Sequence, residues 1–384
     1  MMARAERRSV SPATIAVHGG AERSDLDGGV PPVIRELPVE VEYGGSDGIR
    51  RTATTDASDS VAQRVAALEG AEAAQLVGTG LGATAAALLA LLRPGDHLLA
   101  SSWLPGGVRR FLVEELGPMG IDVSLVDPLE SRGWRKRVRK QTRAIFVESP
   151  VSGSGRVLDL RPISYLTHEV GLALVVDATR ATPAVFRPIA HGADVVIHSS
   201  LRLLGGAPDV AGGVVAGTAS YIEEVREKMF RWGQAPHPDA AWLLLRSLPS
   251  LFVRLARQGE SAERIARWAA GRKDIRKVHW PGLADHPDQE IASVMLDRPV
   301  PFVGIELGGG AKAADRCLRR LRLVRPAAAL GAAETCASEP RLVTHPHLDA
   351  QERGILGMPD GLIQIALGLE DPDDLIADFE QALR

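Results

Sequence analysis

Two stretches decide the fold: Val175-Val-Asp-Ala-Thr-Arg-Ala-Thr-Pro183 and Asp194-Val-Val-Ile-His-Ser-Ser-Leu-Arg-Leu-Leu-Gly-Gly206. Each contains a short apolar run followed by polar or glycine-rich residues. Apolar runs of this length, with no regular alternation of polar side chains, are typical of strands buried on both faces of a parallel sheet. Open α/β sheets bind their ligands at the carboxyl ends of such strands. The two stretches therefore predict buried strands with a ligand site at their ends.

The same pattern extends in both directions along the chain. A strongly apolar helix is predicted over residues 83–92, directly after Gly78-Thr-Gly-Leu-Gly82. Short strand-like runs then alternate with helical stretches, at 97–101, 122–126, 144–148, 172–177, 194–198 and 213–217. Such alternation predicts an α/β fold with a mostly parallel sheet covered by helices on both faces.

The pattern changes towards both ends of the chain. Residues 1–55 are rich in Gly, Pro, Ser and charge and predict an extended N-terminal arm. Residues 56–248 form the predicted large α/β domain. A helical segment from about 238 to 270 leads into a predicted smaller α+β domain over 249–384, with strand-like runs at 291–296, 302–307 and 362–366.

Composition excludes several classes of partner. The chain has 384 residues, 45% hydrophobic and 24% charged, and a net charge of -3. That charge gives no basic surface for nucleic acid, although only six of the 45 cationic residues are lysine. Two cysteines favour a reducing compartment. No apolar run reaches the length of a membrane span and the N-terminus lacks an apolar signal core, so a cytoplasmic protein without membrane contact is predicted.

A series of short motifs, in a specific order and spacing, gives the chain a resemblance to a known family. They are Thr14-Ile-Ala-Val-His-Gly-Gly20, Ala67-Leu-Glu-Gly-Ala-Glu-Ala73, Leu91-Leu-Arg-Pro-Gly-Asp-His97, Pro105-Gly-Gly107, Glu148-Ser-Pro150, Pro281-Gly-Leu283, His286-Pro287 and Gly368-Leu-Glu-Asp-Pro-Asp-Asp-Leu375. With the two opening stretches, they make the chain similar to the Cys/Met-metabolism (transsulfuration) family of pyridoxal-phosphate (PLP) enzymes, which includes cystathionine gamma-synthases and lyases. The resemblance implies fold-type I (aspartate aminotransferase-like) architecture. It also implies a homotetramer, a dimer of dimers, whose active sites borrow residues from a neighbouring subunit's N-terminal region.

Part of the family's cofactor pocket is present in this chain. The resemblance implies that the backbone amides of Thr79, Gly80 and Leu81 bind the cofactor phosphate, because a glycine-rich turn that begins a helix offers free N–H donors to an anion. The alternative is a tight turn that only caps a buried helix. Asp177 matches the carboxylate that keeps the pyridine nitrogen protonated, and Ser199 matches a hydroxyl that assists the phosphate. An Asp that ends a buried strand is also common without any ligand.

The residues that carry the family's chemistry are replaced. Arg202 stands where the family has the lysine that holds PLP as a Schiff base, and a guanidinium stays protonated and is a poor nucleophile towards an aldehyde. Five further features of the family are replaced, at six positions: Arg50 and Thr52 replace a Tyr-x-Arg pair, Pro105 a stacking tyrosine, Ser152 an asparagine, Leu201 a threonine, and Gln364 the arginine that binds the substrate carboxylate. Gln364 cannot supply a charged bidentate fork. None of the six lysines falls near the pocket motifs.

Two arginines suggest what the pocket has become. Arg180 stands where the family has an aromatic or apolar residue, and Arg202 comes from the loop of the lost lysine. If both point inward opposite Gly80, the cofactor cavity becomes a cationic cup for a phosphate or carboxylate. The alternative is that Arg202 pairs with Asp177 or another carboxylate and fills the vacated space.

Two other groups of residues are weaker candidates for a site. His198 and Ser199 cannot easily form a nucleophile and base pair, because adjacent residues of a strand point to opposite faces. His345, His347 and Asp349 have metal-like composition without metal-site spacing, so a solvated turn is favoured and no metal is predicted.

Three functions remain open. The first is a pseudoenzyme that keeps the fold as a scaffold or partner subunit and holds a small anionic molecule. The second is a diverged enzyme that uses the remodelled pocket with non-covalent PLP or with no cofactor. The third is a carbon–sulfur lyase or synthase acting on sulfur amino acids, as the family implies. The third is least favoured, because without the lysine no base is placed to take the Cα proton.

Overall fold

The computed structural model describes residues 11–18, 39–40, 50–51, 55–130, 133–151, 153–327, 331–346 and 348–384. Of residues 39–40 and 50–51, only the backbone is described. These two segments form a short antiparallel pair, β1 (Val39–Glu40) with β2 (Arg50–Arg51).

A seven-stranded sheet forms the centre of the larger part of the chain. Its strand order is β3-β9-β8-β7-β6-β4-β5. The five strands from β8 to β5 are parallel to one another. Strand β9 is antiparallel to both of its neighbours, β8 and β3, so β3 runs in the same direction as the other five. The strands are β3 (Ala73–Val77), β4 (His97–Ser101), β5 (Asp122–Val126), β6 (Thr142–Glu148), β7 (Ala173–Asp177), β8 (Val195–Ser199) and β9 (Gly213–Gly217). The predicted α/β fold with a mostly parallel sheet is therefore confirmed.

Helices cover this sheet and bury its apolar strands. Two separate groups of buried apolar side chains pack on the sheet, which accounts for strands that are apolar throughout. The helices are α1 (Pro12–His18), α2 (Asp56–Glu69), α3 (Gly80–Leu91), α4 (Gly106–Arg110), α5 (Gly133–Arg137), α6 (Leu160–Val170), α7 (Ala219–Arg231) and α8 (Pro238–Ser247). Local sequence sets the bounds of α2, where the Thr55 hydroxyl caps the first turn and Gly70 ends the helix at φ 74°.

A second, five-stranded sheet forms the C-terminal part, in the order β10-β11-β14-β13-β12. Its strands are β10 (Ile275–His279), β11 (Phe302–Leu307), β12 (Arg325–Pro326), β13 (Cys336–Ser338) and β14 (Leu362–Ala366). The helices of this part are α9 (Leu251–Ala270), α10 (Gln289–Met295), α11 (Gly310–Arg320), α12 (Pro340–Val343), α13 (Ala350–Ile355) and α14 (Pro372–Leu383). This mixture matches the predicted α+β character, and the boundary at residues 248/249 stays a proposal.

Three predictions about local structure are wrong. Residues 12–18 form helix α1 rather than extended chain, and Ala16 of that helix is fully buried. The strand predicted at 291–296 is helix α10, because a short apolar run does not distinguish a strand from a helix. The helix predicted over 238–270 is interrupted by the 3₁₀ turn Leu248–Ser250, where Pro249 cannot continue the α-helical hydrogen bonding.

None of the helices in the described ranges is both long enough and apolar enough to span a bilayer.

Candidate functional site

Two buried carboxylates lie side by side at the carboxyl edge of the large sheet. Glu148 ends β6 and Asp177 ends β7, and the parallel register pairs these two residues. Paired residues of adjacent strands extend to the same face of a sheet. The Oδ1 atom of Asp177 accepts a 2.9 Å hydrogen bond from the backbone N–H of Thr179. Asp177 is thus at the predicted edge, together with a second carboxylate.

A tight turn leads into helix α3 at the neighbouring strand end. The Thr79 hydroxyl accepts a 2.9 Å hydrogen bond from the Gly82 N–H, and the Thr79 carbonyl accepts one from Ala83. A Cβ atom built on Gly80 would lie 2.6 Å from the Ser199 Oγ and 2.7 Å from the Ser199 Cβ. Because no real Cβ tolerates such distances, only glycine fits at position 80. The structure brings together the turn and Ser199, as the sequence predicts.

The capping pattern of this turn has a consequence for the remaining amides. The N–H groups of the first helical turn have no acceptor within the helix. Gly82 is satisfied by Thr79, so Gly80 and Leu81 are the first-turn amides available to an external acceptor. The Leu81 side chain is exposed. The geometry is compatible with a turn that only caps α3 and with a binding site for an anion at the positive end of the α3 dipole.

Arg180 and Arg202 both lie close to the two carboxylates. Arg202 is in the π-helical turn Ser200–Leu204, where its own backbone departs from helical geometry at φ -118° and ψ -127°. Burial lowers the pKa of Arg202, whereas the charges of Glu148 and Asp177 raise it. Arg180 is only 5% exposed, and burial together with the charge of Arg202 lowers its pKa to about 9, again against the two carboxylates. With a pKa of about 9, Arg180 is protonated at neutral pH.

The charges of this group correct the predicted cationic cup. Two guanidinium groups share the site with the carboxylates of Glu148 and Asp177. The four side chains together carry no net charge, because each cation has a carboxylate to match it. This arrangement favours the alternative in which Arg202 pairs with Asp177 or another carboxylate.

Gln364 joins this site from the C-terminal sheet. It lies in the middle of β14 and is 1% exposed. In the amide orientation that satisfies both neighbours, its Oε1 accepts from Arg180 Nη1 at 3.3 Å and from the Gly153 N–H at 3.0 Å. The structure therefore brings Gln364 of the C-terminal sheet into contact with Arg180 of the large domain.

All six lysines lie in the described part of the chain. Lys228 is half-exposed, and the other five are exposed: Lys136, Lys140, Lys273, Lys277 and Lys312. None of the six lies on β6, β7 or β8 or in the turns that follow these strands.

Some predicted positions fall outside the description. Ser152, Thr52 and His347 are not among the described residues, and the side chain of Arg50 is not described. The roles that the resemblance implies for them stay predictions.

The weaker candidates have structural partners. His198 Nε2 lies 2.6 Å from Glu69 Oε1, and both side chains are buried on the side of β8 away from Ser199. His345 contacts Thr344 Oγ1 at 2.8 Å. Asp349 caps helix α13 in a capping box. Among the described residues, no group of His, Cys, Asp or Glu could hold a metal ion.

Two residues at the site were not predicted. Glu148 closes a buried apolar run, and a charged residue at such a strand end is a usable signal that a site lies there. Ser338 faces Gln364 across the β13–β14 pair, and its Oγ is buried without a hydrogen-bond partner in the described chain. No local pattern marks Ser338, because its position depends on the register of two strands that are distant in sequence.

Known proteins resemble this chain over nearly its whole length. It is 32% identical to L-methionine gamma-lyase of Pseudomonas putida, with 97% of each chain covered. It is 30% identical to cystathionine gamma-lyase of Bacillus subtilis, with 96% of this chain and 98% of that protein covered. A crystal structure of cystathionine gamma synthase from Xanthomonas oryzae pv. oryzae, in complex with aminoacrylate and cysteine, superposes with a TM-score of 0.92 at 28% identity over 98% of both chains.

The family described as "Cys/Met metabolism PLP-dependent enzyme" matches residues 45–384, which include both sheets and every described residue of the site. Sequence and fold agree, and this chain belongs to the Cys/Met-metabolism family of PLP-dependent enzymes, with their fold-type I architecture.

Proposed function

We propose that this family member has a remodelled, lysine-free pocket that holds a small anionic or amino-acid-like ligand, and that it is not a conventional PLP enzyme. PLP is bound non-covalently or not at all. The protein then acts either as a pseudoenzyme that keeps the fold as a scaffold or as a diverged enzyme that uses the remodelled pocket.

One observation carries this proposal. Position 202 holds a half-buried guanidinium close to Glu148 and Asp177, and the six lysines all lie elsewhere. A delocalised, protonated guanidinium does not condense with an aldehyde. The pocket therefore has no described side chain that can both reach the site and form a Schiff base.

The described residues fit one end of PLP and not the other. The turn at Gly80 has the cap, the helix start and the close contact with Ser199 that suit a phosphate. Asp177 suits a protonated ring nitrogen. Arg202 does not fit the covalent attachment of PLP.

A second function has a specific observation in its favour. The relatives named L-methionine gamma-lyase and cystathionine gamma-lyase match almost the entire chain at 32% and 30% identity. Carbon–sulfur lyase or synthase activity on sulfur amino acids, with PLP held non-covalently, is therefore the alternative.

The test is to purify the protein with PLP, record the visible spectrum and treat the sample with borohydride. We expect no covalently fixed cofactor. Retained cofactor that borohydride does not fix supports the non-covalent form, and absence of cofactor supports the pseudoenzyme. Cofactor reduced onto a side chain of this protein would overturn the proposal.

The Arg202→Lys variant provides the matched control. A lysine at this position supplies the missing amine, but Gln364 and the other replaced positions remain. We expect no carbon–sulfur lyase turnover from this variant with L-methionine or cystathionine. Measurable turnover would show that the other replacements matter less than we infer.

We also propose that the protein is a cytoplasmic homotetramer with no nucleic-acid or membrane partner. Its domain boundary is proposed to lie near residues 248/249. Sedimentation equilibrium of the purified protein tests the tetramer.

A further inference from the structure

A row of residues on the C-terminal sheet faces the large domain. The strand register places His279, Gly304, Gln364 and Ser338 side by side across β10, β11, β14 and β13. Residues that pair in this way share one face of the sheet. A Cβ atom built on Gly304 would lie 3.1 Å from the Gly153 carbonyl oxygen. The row therefore lies directly against the chain that follows β6 of the large domain.

Gln364 links this row to Arg180. Its amide oxygen accepts from Arg180 Nη1 and from the Gly153 N–H, at 3.3 Å and 3.0 Å. Both side chains are almost fully buried, so this contact is not a solvated surface pair. A neutral amide can accept a hydrogen bond from a guanidinium without neutralising its charge. Gln364 can thus orient Arg180 without placing another negative charge beside it.

Ser338 adds an unsatisfied polar atom beside this link. Its Oγ is buried, with the residue only 5% exposed, and has no hydrogen-bond partner in the described chain. Ser338 pairs directly with Gln364, and such cross-strand neighbours have Cβ atoms about 4.5–5.5 Å apart. A buried hydroxyl without a partner is unfavourable, which is a reason to expect a ligand oxygen there.

We infer that Arg180, oriented by Gln364, is the guanidinium that recognises the carboxylate of the ligand, with the Ser338 hydroxyl as a second contact. This inference rests on the proposed function, because it concerns the ligand of the same pocket. Arg180 is the binding residue, and Gln364 is a positioning residue that acts through it.

Charge explains why the two positions change together. An arginine at 364 and another at 180 would put two guanidinium groups in contact inside a buried site, where like charges repel strongly. A glutamine at 364 removes this repulsion and supplies an acceptor. The chain thereby carries its recognition charge on the loop after β7 instead of on β14.

The nearby carboxylates narrow the class of ligand further. Glu148 and Asp177 act on the charge of Arg180 and lie at the same sheet edge. A ligand that brings only negative charge gains from Arg180 and is repelled by these two groups. A carboxylate with an ammonium group next to it satisfies both, so the pocket suits a zwitterion better than a dianion.

The experiment compares L-methionine with L-methioninamide, which has the same side chain and ammonium group but no carboxylate. Binding to the full-length protein is measured by calorimetry at neutral pH, together with thermal unfolding. We expect wild type to bind L-methionine at least about tenfold more tightly than the amide, the size of effect typical of a charge-assisted contact. In Arg180→Met this preference is expected to disappear.

Two variants at position 364 separate positioning from a merely structural role. Gln364→Glu provides an internal carboxylate for Arg180, so we expect an intact or raised unfolding temperature but about tenfold weaker L-methionine binding. The double variant Arg180→Met with Gln364→Arg returns the guanidinium to β14 and is expected to regain the preference for the carboxylate. No preference in wild type, or an unchanged preference in Arg180→Met, would overturn the inference.

These results are separate from those that test the proposed function. Cofactor fixed by borohydride would reject the lysine-free function and leave the carboxylate preference to be decided by binding. Loss of the Arg180 effect would reject this inference while the absence of a Schiff base stands.

Discussion

The two walls of the pocket are built in different ways. The large-domain wall consists of the turn at Gly80 and the end of β8, where the Thr79 hydroxyl already accepts from the Gly82 N–H and no space remains for a Cβ at Gly80. The C-terminal wall is the row His279, Gly304, Gln364 and Ser338, in which His279 Nε2 and Ser338 Oγ are buried without hydrogen-bond partners in the described chain. The first wall is fixed by backbone geometry, and the second depends on side chains that still need partners.

This difference indicates which wall tolerates substitution. Replacing a side chain on the first wall disturbs close backbone contacts, since Ser199 touches Gly80 directly. A replacement on the second wall changes the polar groups that the wall presents. Gln364 lies on this second wall, and its contact with Arg180 links the wall to the large domain.

The largest expected effect comes from the buried pair of His198 and Glu69, on the side of β8 away from Ser199. In His198→Leu, the Glu69 carboxylate loses its 2.6 Å partner in a fully buried position. An orphaned buried charge of this kind costs about 3–5 kcal/mol of unfolding free energy. Chemical denaturation measures the loss. Ligand binding to the protein that remains folded shows whether the first wall is intact.

The matched control replaces both members of the pair. Leucine at positions 69 and 198 together leaves no buried charge, so we expect most of the lost stability to return. If the double variant is no more stable than His198→Leu, then lost packing and not the orphaned carboxylate explains the effect.

Acid is expected to destabilise the folded protein through His279 of the second wall and through His286. Burial lowers the pKa of His279 and of His286 to about 4. In the unfolded chain the histidine pKa is about 6.5, so between these values the unfolded state binds more protons. Stability is therefore complete above about pH 6.5 and is lost as the pH falls towards 4, by about 2–5 kcal/mol for the two residues together. Unfolding free energies measured from pH 7 to pH 4 check this dependence.

Two glutamines identify the groups responsible. In the variant with His279→Gln and His286→Gln, the slope of unfolding free energy against pH should flatten between 6.5 and 4. An unchanged slope would assign the acid sensitivity to other groups. His198→Leu provides a comparison, because both His279 and His286 are retained in it.

The fold was predictable to the extent that local patterns determine it. Buried strands such as His97–Ser101 are marked by continuous apolar runs, and the turn before helix α3 is marked by its glycines. The structure has both at the predicted places. Helix α10 was mistaken for a strand, because seven residues are too few to separate the two periods. Helix α1 was missed because its stability comes from packing against distant residues, including Arg64 of α2.

The site was predictable only one residue at a time. Thr79, Asp177, Arg202 and Gln364 each stand in a recognisable motif. The contact between Arg180 and Gln364 has no local signal, since it joins two domains across a long stretch of chain. The charge balance has no local signal for the same reason, because Glu148 offsets the second guanidinium only when its strand is placed beside β7.

A smaller effect tests the tight fit of the first wall. In Gly80→Ala, the new Cβ meets the Ser199 Oγ and Cβ at 2.6 and 2.7 Å, and overpacking of this kind costs about 1–3 kcal/mol. Adding Ser199→Gly removes both of those atoms and should return part of the stability. Gly107→Ala is the matched control, because nothing lies within 4 Å of its Cβ. Equal losses in Gly80→Ala and Gly107→Ala by chemical denaturation would show that contact with Ser199 is unimportant.

The smallest effect is expected on the second wall, in Ser338→Ala. Because the Ser338 hydroxyl is buried without a partner, its removal should leave stability unchanged or raise it by up to about 1 kcal/mol. Thr335→Ala, just before the same strand, is the contrasting variant. Thr335 Oγ1 donates to Glu370 at 2.6 Å and accepts from the Gly368 N–H at 2.8 Å. Its removal should therefore cost about 1–3 kcal/mol of unfolding free energy. Denaturation without ligand gives both values. A clear loss of stability in Ser338→Ala would mean that this hydroxyl is already satisfied within the protein, and the two walls would then be alike.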